Sequence, residues 1–258
     1  MHACNPSPAT GDGNWTWFLP GRVPTLIDAG TGDERHLSAV EKARGDATLA
    51  QVIVTHGHGD HASGVVALTR RMPGVRCLKM PWPGRDGRWT VEWTAVRDGD
   101  LLAAGDTELR ALHTPGHAPD HLCLWHEGTR TLFGGDLAMG GSTVYIPASA
   151  GGDLSAYLAS IDRVLALDPA RILPGHGGVI ENPASLLRAY RAHRRQREAQ
   201  IIDLLREGAS GADSIVARLY VGLGAGLLPR ARETVEAHLV KLEREGRAIR
   251  RDGVWRLA

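Results

Sequence analysis

The chain has 258 residues and a formal net charge of +1, from 30 Lys and Arg against 29 Asp and Glu residues, so overall charge points to no class of partner. Its length predicts one sizeable core and a smaller second unit, since domains usually hold ~100–200 residues. The three cysteines are odd in number and lack the short spacing of a thiolate metal site, so we expect them to be reduced.

The first residues of the chain carry neither a recognisable export signal nor an organelle address. The apolar runs are far shorter than the ~20 residues needed to cross a bilayer. We therefore expect a cytoplasmic protein without a membrane partner.

The first part of the chain alternates short apolar strands with turns and helical patterns. Strand-length apolar runs occur at residues 16–19, 25–28, 51–55, 76–80, 108–113, 121–126, 129–133 and 171–173. Helical spacing of apolar residues occurs at 36–43, 62–71 and 153–167. Strands mixed with helices in this order predict sheets that are covered by helices.

The pattern of the sequence changes after Pro183, where a long helical run extends to Arg206 without glycine or proline. Two further helical patterns and a hairpin on Asp252-Gly253 follow, which is the order of a winged-helix module. This C-terminal part is rich in Arg and Lys, whereas the rest of the chain is net acidic. We predict a catalytic domain over residues 1–185 and a basic winged-helix-like domain over 186–258.

The segment Thr55–His61 reads Thr-His-Gly-His-Gly-Asp-His and follows an apolar strand, so four metal-binding side chains fall within six positions. Three more candidates follow other apolar strands beside glycine, where the backbone can approach closely: His117, Asp136 and His176. Imidazole and carboxylate suit zinc and its first-row neighbours. Five histidines and two aspartates are enough for two metal ions, and they predict a metal hydrolase.

The motifs occur in the order seen in the metallo-β-lactamase superfamily, beginning with Leu26-Ile27-Asp28-Ala29-Gly30. The sequence resembles that superfamily over residues 24–178. The resemblance implies an α/β protein with a four-layer αββα sandwich, followed here by the small C-terminal domain. It also implies a site for two zinc ions, or for manganese or iron, that share a bridging water.

The resemblance also assigns each candidate ligand to one of the two ions, with Asp136 as the bridge between them. The other ligands divide into two sets of three, His56, His58 and His117 for the first ion and Asp60, His61 and His176 for the second. Two cations roughly 3.5–4 Å apart lower the pKa of the water between them and supply a hydroxide nucleophile. Asp60 is a further catalytic candidate, because a carboxylate bound through one oxygen keeps the other free to take a proton.

Other polar residues near these motifs are expected to support the site. Metal-bound side chains need hydrogen-bond partners that fix their orientation, and His121 and Asp28 are the candidates for this role. His113 is expected to be structural. The remaining histidines are predicted to lie on the surface: His2, His36, His126, His193 and His238.

The length, the motifs and the C-terminal extension together resemble one branch of the superfamily, the beta-lactamase-like protein 2 family. Members of that family act as endoribonucleases on single-stranded RNA, and the basic C-terminal domain offers a physical reason, because Lys and Arg bind phosphates by releasing counterions. We therefore predict single-stranded RNA as the substrate. The predicted substrate contacts are Tyr145, Trp15, Trp17, His193 and Arg194.

The aromatic residues among these contacts would stack on unpaired bases. For Trp15 and Trp17 the alternative is packing within a strand pair or at the rim of a hydrophobic pocket. Their segment, Gly13–Phe18, also departs from the Gly-Thr-Asn-Thr-Tyr-Leu of many relatives.

Several other functions stay open. The main rival substrate is a small thioester, lactone or similar acyl compound, since the same chemistry serves acyl transfer. A true β-lactamase is disfavoured, because those enzymes generally carry Cys or Ser at the position of Asp136 and are exported. A mononuclear iron oxygenase and a nucleic-acid-binding regulator are further alternatives. The C-terminal domain could also serve as a homodimer interface or as a lid over the pocket.

Overall fold

The computed structural model describes residues 1–7, 10–208 and 210–258. The first of two five-stranded sheets has the order β1-β2-β3-β4-β5. It consists of β1 (Trp17–Leu19), β2 (Thr25–Ile27), β3 (Gln51–Ile53), β4 (Arg76–Lys79) and β5 (Trp93–Ala95). The strand β1 pairs with β2 in the antiparallel sense, and the other neighbours are parallel.

The second sheet has the order β10-β9-β8-β7-β6. It consists of β6 (Leu101–Ala104), β7 (Thr107–His113), β8 (Leu122–His126), β9 (Thr131–Gly135) and β10 (Arg171–Pro174). The strands β6 to β9 form an antiparallel meander, and β10 joins its edge parallel to β9.

Helices connect and cover these sheets. In the catalytic part they are α1 (Glu34–Arg44), α2 (Gly59–Ala62), α3 (Val65–Arg71), α4 (Pro83–Asp86) and α5 (Leu154–Leu167). The C-terminal part contains α6 (Pro183–Arg206), α7 (Ala212–Leu219), α8 (Leu228–Arg244), β11 (Ala248–Arg251) and β12 (Val254–Leu257). Side chains cap α1, α5 and α6, as where Asp153 accepts a hydrogen bond from the amide of Ala156 at the start of α5.

The layers follow from the alternation of side chains along each strand. Ile53 in β3 packs into the core between the two sheets, whereas its neighbour Val52 packs beneath α1 and α3. On the other side of the molecule, α5 and α6 cover the second sheet through residues such as Ile161 and Leu187. The order of layers is therefore helix, sheet, sheet, helix, which confirms the predicted αββα sandwich.

The helix predicted over 62–71 is two helices, α2 and α3. The interruption lies at Ser63 and Gly64, where the amide of Gly64 donates to the carbonyl of Gly30 at 2.9 Å and an added Cβ would stand 2.0 Å from the carbonyl oxygen of Ala29. The sequence analysis also missed β5 and β6, which are short and largely exposed and therefore lack a clear apolar pattern.

The C-terminal part has a small core of its own. Ile201, Ile215, Leu239 and Trp255 pack together in it, and the hairpin of β11 and β12 turns at Asp252-Gly253 as predicted. Both turn residues have positive φ, the conformation that an Asp-Gly turn favours. The order of helices and hairpin confirms the winged-helix module.

A single helix, α6, runs through the domain boundary predicted at residues 185 and 186. Its first half contributes Leu187 and Tyr190 to the core beneath the second sheet. Its second half contributes Ile201 and Leu205 to the C-terminal core. The two units thus share one continuous helix.

Two histidines predicted to be on the surface are buried. His36 lies on the inner face of α1, where its Nε2 is 2.8 Å from the hydroxyl of Thr16. His238 lies on α8 and is 0% exposed. Tertiary packing covers these isolated positions, which carry no local sequence signal of burial.

Across residues 1–7, 10–208 and 210–258, none of the helices combines the length and the apolarity needed to span a bilayer.

Candidate metal centre

The seven predicted ligands come together at one edge of the sandwich. The His56–His61 segment leads from β3 into α2, and His117 lies in the loop between β7 and β8. Asp136 follows β9 directly, and His176 stands just beyond the end of β10. Strands from both sheets therefore deliver ligands to the same place.

The first set of three histidines forms a compact group. The Nδ1 atom of His58 lies 2.8 Å from Nε2 of His117 and 3.1 Å from Nε2 of His56. The Nδ1 atom of His117 is 2.7 Å from the carbonyl oxygen of Tyr145, to which it donates. In a neutral ring this leaves the lone pair on Nε2 of His117, which faces the other two imidazoles.

The second set lies beside the first. The Oδ2 atom of Asp60 is 3.2 Å from Nε2 of His176 and 3.6 Å from Nε2 of His61. The donor atoms of this set lie within 4.8 Å of one another, as do those of the first set. Each set thus has the spacing of side chains that could hold one cation.

Asp136 lies between the two sets and presents one carboxylate oxygen to each. Its Oδ1 is 3.3 Å from Nε2 of His61 and 3.5 Å from Nε2 of His176. Its Oδ2 is 3.4 Å from Nε2 of His117. This is the placement that a bridging carboxylate would need.

The residues fit a metal ion because several of their atoms lack other partners. Among the described residues, Nε2 of His61 and Oδ1 of Asp136 are buried and have no hydrogen bond. Buried polar atoms are rarely left without a partner in folded proteins. Converging imidazole and carboxylate atoms of this kind are suited to binding metal ions.

Charge leads to the same conclusion. Burial opposes protonation of His61, yet the surrounding carboxylates, Asp136 foremost, raise the pKa of His61 well above its ordinary value. Burial also opposes ionisation of Asp136, but the imidazoles of His61 and His176 hold the pKa of Asp136 well below its usual range. The site therefore stabilises a positive charge, and a metal ion would displace the proton that otherwise carries it.

Three neighbouring histidines favour the neutral form. Burial lowers the pKa of His58 to about 3 and that of His121 to about 3. Burial and the adjacent imidazoles lower the pKa of His56 well below its ordinary value. Neutral imidazole is the form that binds a metal.

His121 holds Asp136 without joining the ligand sets. Its Nε2 accepts a hydrogen bond from the backbone amide of Asp136 at 3.0 Å. Because an amide can only donate, the ring proton is on Nδ1, which lies 2.8 Å from the hydroxyl of Thr114. His113 points elsewhere, and its Nε2 donates to the carbonyl of Pro119 at 2.8 Å.

Asp28 lies behind His61. Its Oδ2 is 2.7 Å from Nδ1 of His61, and its Oδ1 accepts from the amide of Thr55 at 2.8 Å. Asp28 also adopts φ of 62°, the left-handed region that most residues other than glycine avoid. The structure thus places Asp28 where it fixes both the ring of His61 and the start of the ligand segment.

The sequence analysis missed a buried ion pair beneath the ligand segment. Lys79 and Asp120 are both buried, with Nζ and Oδ2 3.0 Å apart, and the same Oδ2 accepts from the amide of Gly57 at 2.8 Å. Asp120 therefore anchors the backbone between His56 and His58. The available signal was Lys79 beside the apolar pair Cys77-Leu78 in the run 76–80 that was predicted to be a strand.

Asn14 is a second residue that the sequence analysis did not single out as part of the site. It is 0% exposed, and its side-chain amide donates to the carbonyl of Asp60 at 2.7 Å. The neighbouring amide of Trp15 donates to the carbonyl of Gly175 at 2.7 Å. The segment Gly13–Phe18, which differs from that of many relatives, therefore makes hydrogen bonds to the backbone at Asp60 and beside His176.

A cavity of about 560 Å³ opens beside His176 of the second ligand set. Its lining includes His176, Trp15 and Tyr145 from the catalytic part and Arg230 from α8. The guanidinium of Arg230 lies 5.8 Å from the centre of the Tyr145 ring, as in a cation–π contact. The C-terminal domain therefore supplies part of the wall of this cavity.

Two of the predicted substrate contacts are placed differently. Trp17 does not line the cavity, because its ring packs against Phe133 between the sheets and its Nε1 donates to the carbonyl of Pro174. Arg194 is 3% exposed and donates to the carbonyl of Val144. Arg194 thus holds the segment that bears Tyr145, and the substrate contacts predicted for Trp17 and Arg194 stay predictions.

Several basic side chains of the C-terminal domain are in ion pairs. Lys241 pairs with Glu198, Arg232 with Asp213, and Arg218 with Glu207. Surface pairs of this kind contribute little stability, but they remove charge that could attract an anion. The excess of Arg and Lys alone is therefore weak support for binding of nucleic acid.

The helix α8 docks on the catalytic domain. Arg244 pairs with Asp153, and a carboxylate oxygen of Glu233 accepts from the amide of Ser149 at 2.8 Å. In helix-turn-helix proteins the second helix of the motif enters the major groove of DNA, which requires a free face. Here α8 shapes the cavity wall instead.

Two family models match the chain. The model of the metallo-beta-lactamase superfamily matches residues 9–176, and that of the beta-lactamase associated winged helix domain matches residues 212–255. The first match covers both five-stranded sheets and all seven candidate ligands, and the second covers α7, α8 and most of the C-terminal hairpin.

Curated relatives support the same assignment. The Beta-lactamase-like protein 2 homolog of Drosophila melanogaster is 33% identical over 95% of this chain and 87% of its own length. An Atrochrysone carboxyl ACP thioesterase of Passalora fulva is 34% identical over 80% of this chain and 61% of its own length.

Solved structures share the fold. A beta-lactamase domain protein from Burkholderia ambifaria matches with a TM-score of 0.82 at 21% identity, over 95% of this chain and 86% of its own. A protein solved in a di-iron-bound form matches with a TM-score of 0.57 at 26% identity, over 67% of this chain and 91% of its own.

Proposed function

The chain belongs to the metallo-beta-lactamase superfamily and is a metal-dependent hydrolase, and from this premise we propose a dinuclear, zinc-dependent endoribonuclease that acts on single-stranded RNA. The observation that carries the dinuclear site is the position of Asp136, with one carboxylate oxygen towards each ligand set. The di-iron-bound structural neighbour is consistent with such a site in this fold. When bound, two divalent cations would lower the pKa of a water between them and supply hydroxide at neutral pH.

The side chains of the protein have separate tasks around that chemistry. Asp136 spans the two ligand sets and, through the contact of its amide with His121, keeps a fixed position. Asp60 is the more accessible carboxylate, with its side chain 25% exposed against 8% for Asp136. We assign Asp60 the task of accepting a proton during hydrolysis, because its carboxylate is the more accessible of the two.

The RNA assignment is supported by the wall of the cavity over the site. Trp15 and Tyr145 offer aromatic faces, and Arg230 adds a positive charge next to Tyr145. Aromatic rings that stack on bases beside cationic groups are the usual means of binding single strands. The long match to a Beta-lactamase-like protein 2 homolog agrees with the resemblance that suggested RNA.

A second candidate is an acyl thioesterase. The observation in its favour is that the relative from Passalora fulva is named an acyl carrier protein thioesterase. The hydroxide that two bound cations would supply suits a thioester carbonyl as well as a phosphodiester. A cavity of about 560 Å³ would also accept a small acyl group.

The two candidates can be separated by one set of assays on the zinc- or manganese-loaded protein. The first substrate is a labelled single-stranded RNA with an all-DNA strand of the same sequence beside it, and the second is a panel of acyl-coenzyme A thioesters. His58→Ala removes an imidazole of the first ligand set. His126→Ala is the matched control, since that half-buried imidazole contacts Thr107 and Thr129 away from the site.

We expect RNA cleavage by the intact protein and by His126→Ala, and at least a hundredfold loss in folded His58→Ala. Thioester hydrolysis without RNA cleavage would reject the endoribonuclease and select the acyl hydrolase. RNA cleavage that survives in His58→Ala would point to a contaminating nuclease.

A further inference from the structure

A second cavity, of about 300 Å³, lies between the catalytic and C-terminal domains. The segment Ser142–Tyr145 forms one wall and the middle of α6 forms another. Tyr220 at the end of α7 and Arg230 near the start of α8 close it. We call this space the interdomain cavity.

The charge of the interdomain cavity is one-sided. Its lining includes Arg194, Arg197 and Arg230 together with His193, and among the described residues no Asp or Glu lines it. The lining thus brings guanidinium groups together without a carboxylate among the described lining residues.

Two of the groups in this cavity have unused hydrogen-bonding capacity. Among the described residues, Nε of Arg197 and Nδ1 of His193 are buried and have no hydrogen-bond partner. Arg194 is buried, and its guanidinium donates to the carbonyl of Val144 without a carboxylate in ion-pair range among the described residues. Buried charge without a counter-charge is costly, so this arrangement is suited to an anion.

The chemistry of the lining favours phosphate. Guanidinium groups bind phosphate oxygens through paired donors, and the hydroxyls of Ser142 and Thr143 can add neutral donors. Arg197 also lies with its guanidinium 4.6 Å from the centre of the Tyr220 ring, which holds its plane in place. A tetrahedral anion with several acceptor oxygens matches such a set of donors.

The interdomain cavity continues into the cavity over the metal centre. The two share four lining residues: Ser142, Thr143, Tyr145 and Arg230. An anion in the first and a reacting group in the second can therefore belong to one extended molecule.

We propose that the interdomain cavity binds a backbone phosphate of a single-stranded nucleic acid, a short distance along the strand from the phosphate that is cleaved. This inference rests on the proposed function, since it names a part of the RNA substrate that the protein would bind next to the metal centre. It makes Arg197 a residue that determines affinity for the strand without touching the reacting atoms.

The test compares two substitutions that remove the same charge from the same helix. Arg197→Gln alters the interdomain cavity, whereas Arg188→Gln alters an exposed position of α6 outside it. The probe is a labelled ten-nucleotide DNA strand, kept intact as checked by gel, because a phosphate contact does not depend on the sugar. Affinity for the zinc-loaded protein is measured by fluorescence anisotropy over a series of salt concentrations.

We expect Arg197→Gln to weaken binding about tenfold and to reduce the slope of log affinity against log salt by about 0.7, the value for one phosphate contact on a single strand. Arg188→Gln should leave both nearly unchanged. Arg197→Lys should keep the slope, because it keeps the charge, while losing the paired donors. Melting curves of each variant establish that the protein is folded.

Equal effects of Arg197→Gln and Arg188→Gln would overturn the proposal, as would a failure of the intact protein to bind the strand. Binding of coenzyme A that depends on Arg197, without binding of the strand, would also overturn it and assign the cavity to the phosphates of a carrier-linked acyl substrate. Strand binding that depends on Arg197 without cleavage of RNA would support the phosphate site and reject only the endoribonuclease. Cleavage of RNA without dependence on Arg197 would support the endoribonuclease and reject the phosphate site.

Discussion

The carboxylate of Asp28 accepts a hydrogen bond from Nδ1 of His61 over 2.7 Å, with both side chains almost fully buried. This contact turns the Nε2 atom of His61 towards Asp136 and Asp60. Asp28 is therefore coupled to the metal centre through a ring that it orients, although none of its own atoms faces the cavity.

Asp28→Asn should weaken metal binding by about 10–100-fold, the usual cost of removing a group that orients a metal-bound histidine. The amide is neutral and presents a donor as well as an acceptor, so it fixes the His61 ring less firmly. Competition with a chelator, followed by metal analysis, measures the change. Asp106→Asn, which alters an exposed pair with Arg22, is the control; equal affinities in the two variants would contradict the assigned role.

Gly175→Ala should empty the metal centre while leaving the sandwich folded. A Cβ at this position would stand 2.6 Å from Cε1 of His61 and 2.7 Å from Oδ1 of Asp136, so both side chains would have to move. Gly178→Ala is a matched control, since no heavy atom lies within 4 Å of its added Cβ. Metal content after desalting should fall at least tenfold in the first variant only, and undiminished content there would reject the predicted ligand geometry.

Asp60→Asn should lower kcat by about 10²–10⁴-fold at full metal occupancy, because it removes the proposed proton acceptor. Metal content has to be matched to that of the intact protein, as Asp60 is also a predicted ligand. The measurement is the pH dependence of kcat on whichever substrate the protein turns over. Unchanged turnover at equal occupancy would remove the proton-transfer role and leave Asp60 as a ligand alone.

Acid should destabilise the protein in part through His238. Burial lowers the pKa of His238 to about 3, with the nearby charges of Arg194 and Lys241 acting in the same direction. In the unfolded chain the pKa of His238 returns to 6.5. Below that pH the ring therefore binds a proton in the unfolded state but stays neutral in the folded state. The stabilising effect of the neutral ring is thus complete above pH 6.5 and is lost as the pH falls towards 3.

His238→Leu should remove this contribution, which amounts to at most about 1.4 kcal/mol of unfolding free energy per pH unit. Both ring nitrogens of His238 are buried without a hydrogen-bond partner among the described residues, so the variant should lose little stability at pH 7.5. Urea unfolding between pH 7.5 and 5 measures the slope, with His126→Leu as the comparison. Parallel curves for the intact protein and His238→Leu would show that the ring does not titrate as described.

The sequence was sufficient for the architecture because most of its strands are apolar and its ligands sit in recognisable motifs. The limits were local: β5 has exposed side chains and therefore no clear period, and α2 and α3 separate at Gly64, whose amide donates to the carbonyl of Gly30, a residue distant along the chain. The boundary at residue 185, the homodimer and the cytoplasmic location stay predictions.

At the site, the motifs identified side chains that the structure brings together, but they carried little information about what lies behind those side chains. Lys79 and Asp120 meet only after the sheets have formed, so no spacing along the chain connects them. Trp17 was predicted to contact substrate because of its residue type, whereas the core between the sheets accommodates it. Arg194 was also predicted from its residue type, whereas its burial depends on the segment that packs against this face of α6.

The helix α6 has no glycine and no proline beyond its first residue, and its 24 residues extend about 36 Å at 1.5 Å per residue. Tyr190 packs this helix against the catalytic core, and Arg197 lies two turns further along the helix. The helix is continuous between Tyr190 and Arg197, so the distance between the metal centre and the interdomain cavity would be fixed. The enzyme would therefore select substrates by the number of bonds between their anionic group and the bond to be broken. Substrates with a shorter separation would bind at only one of the two sites.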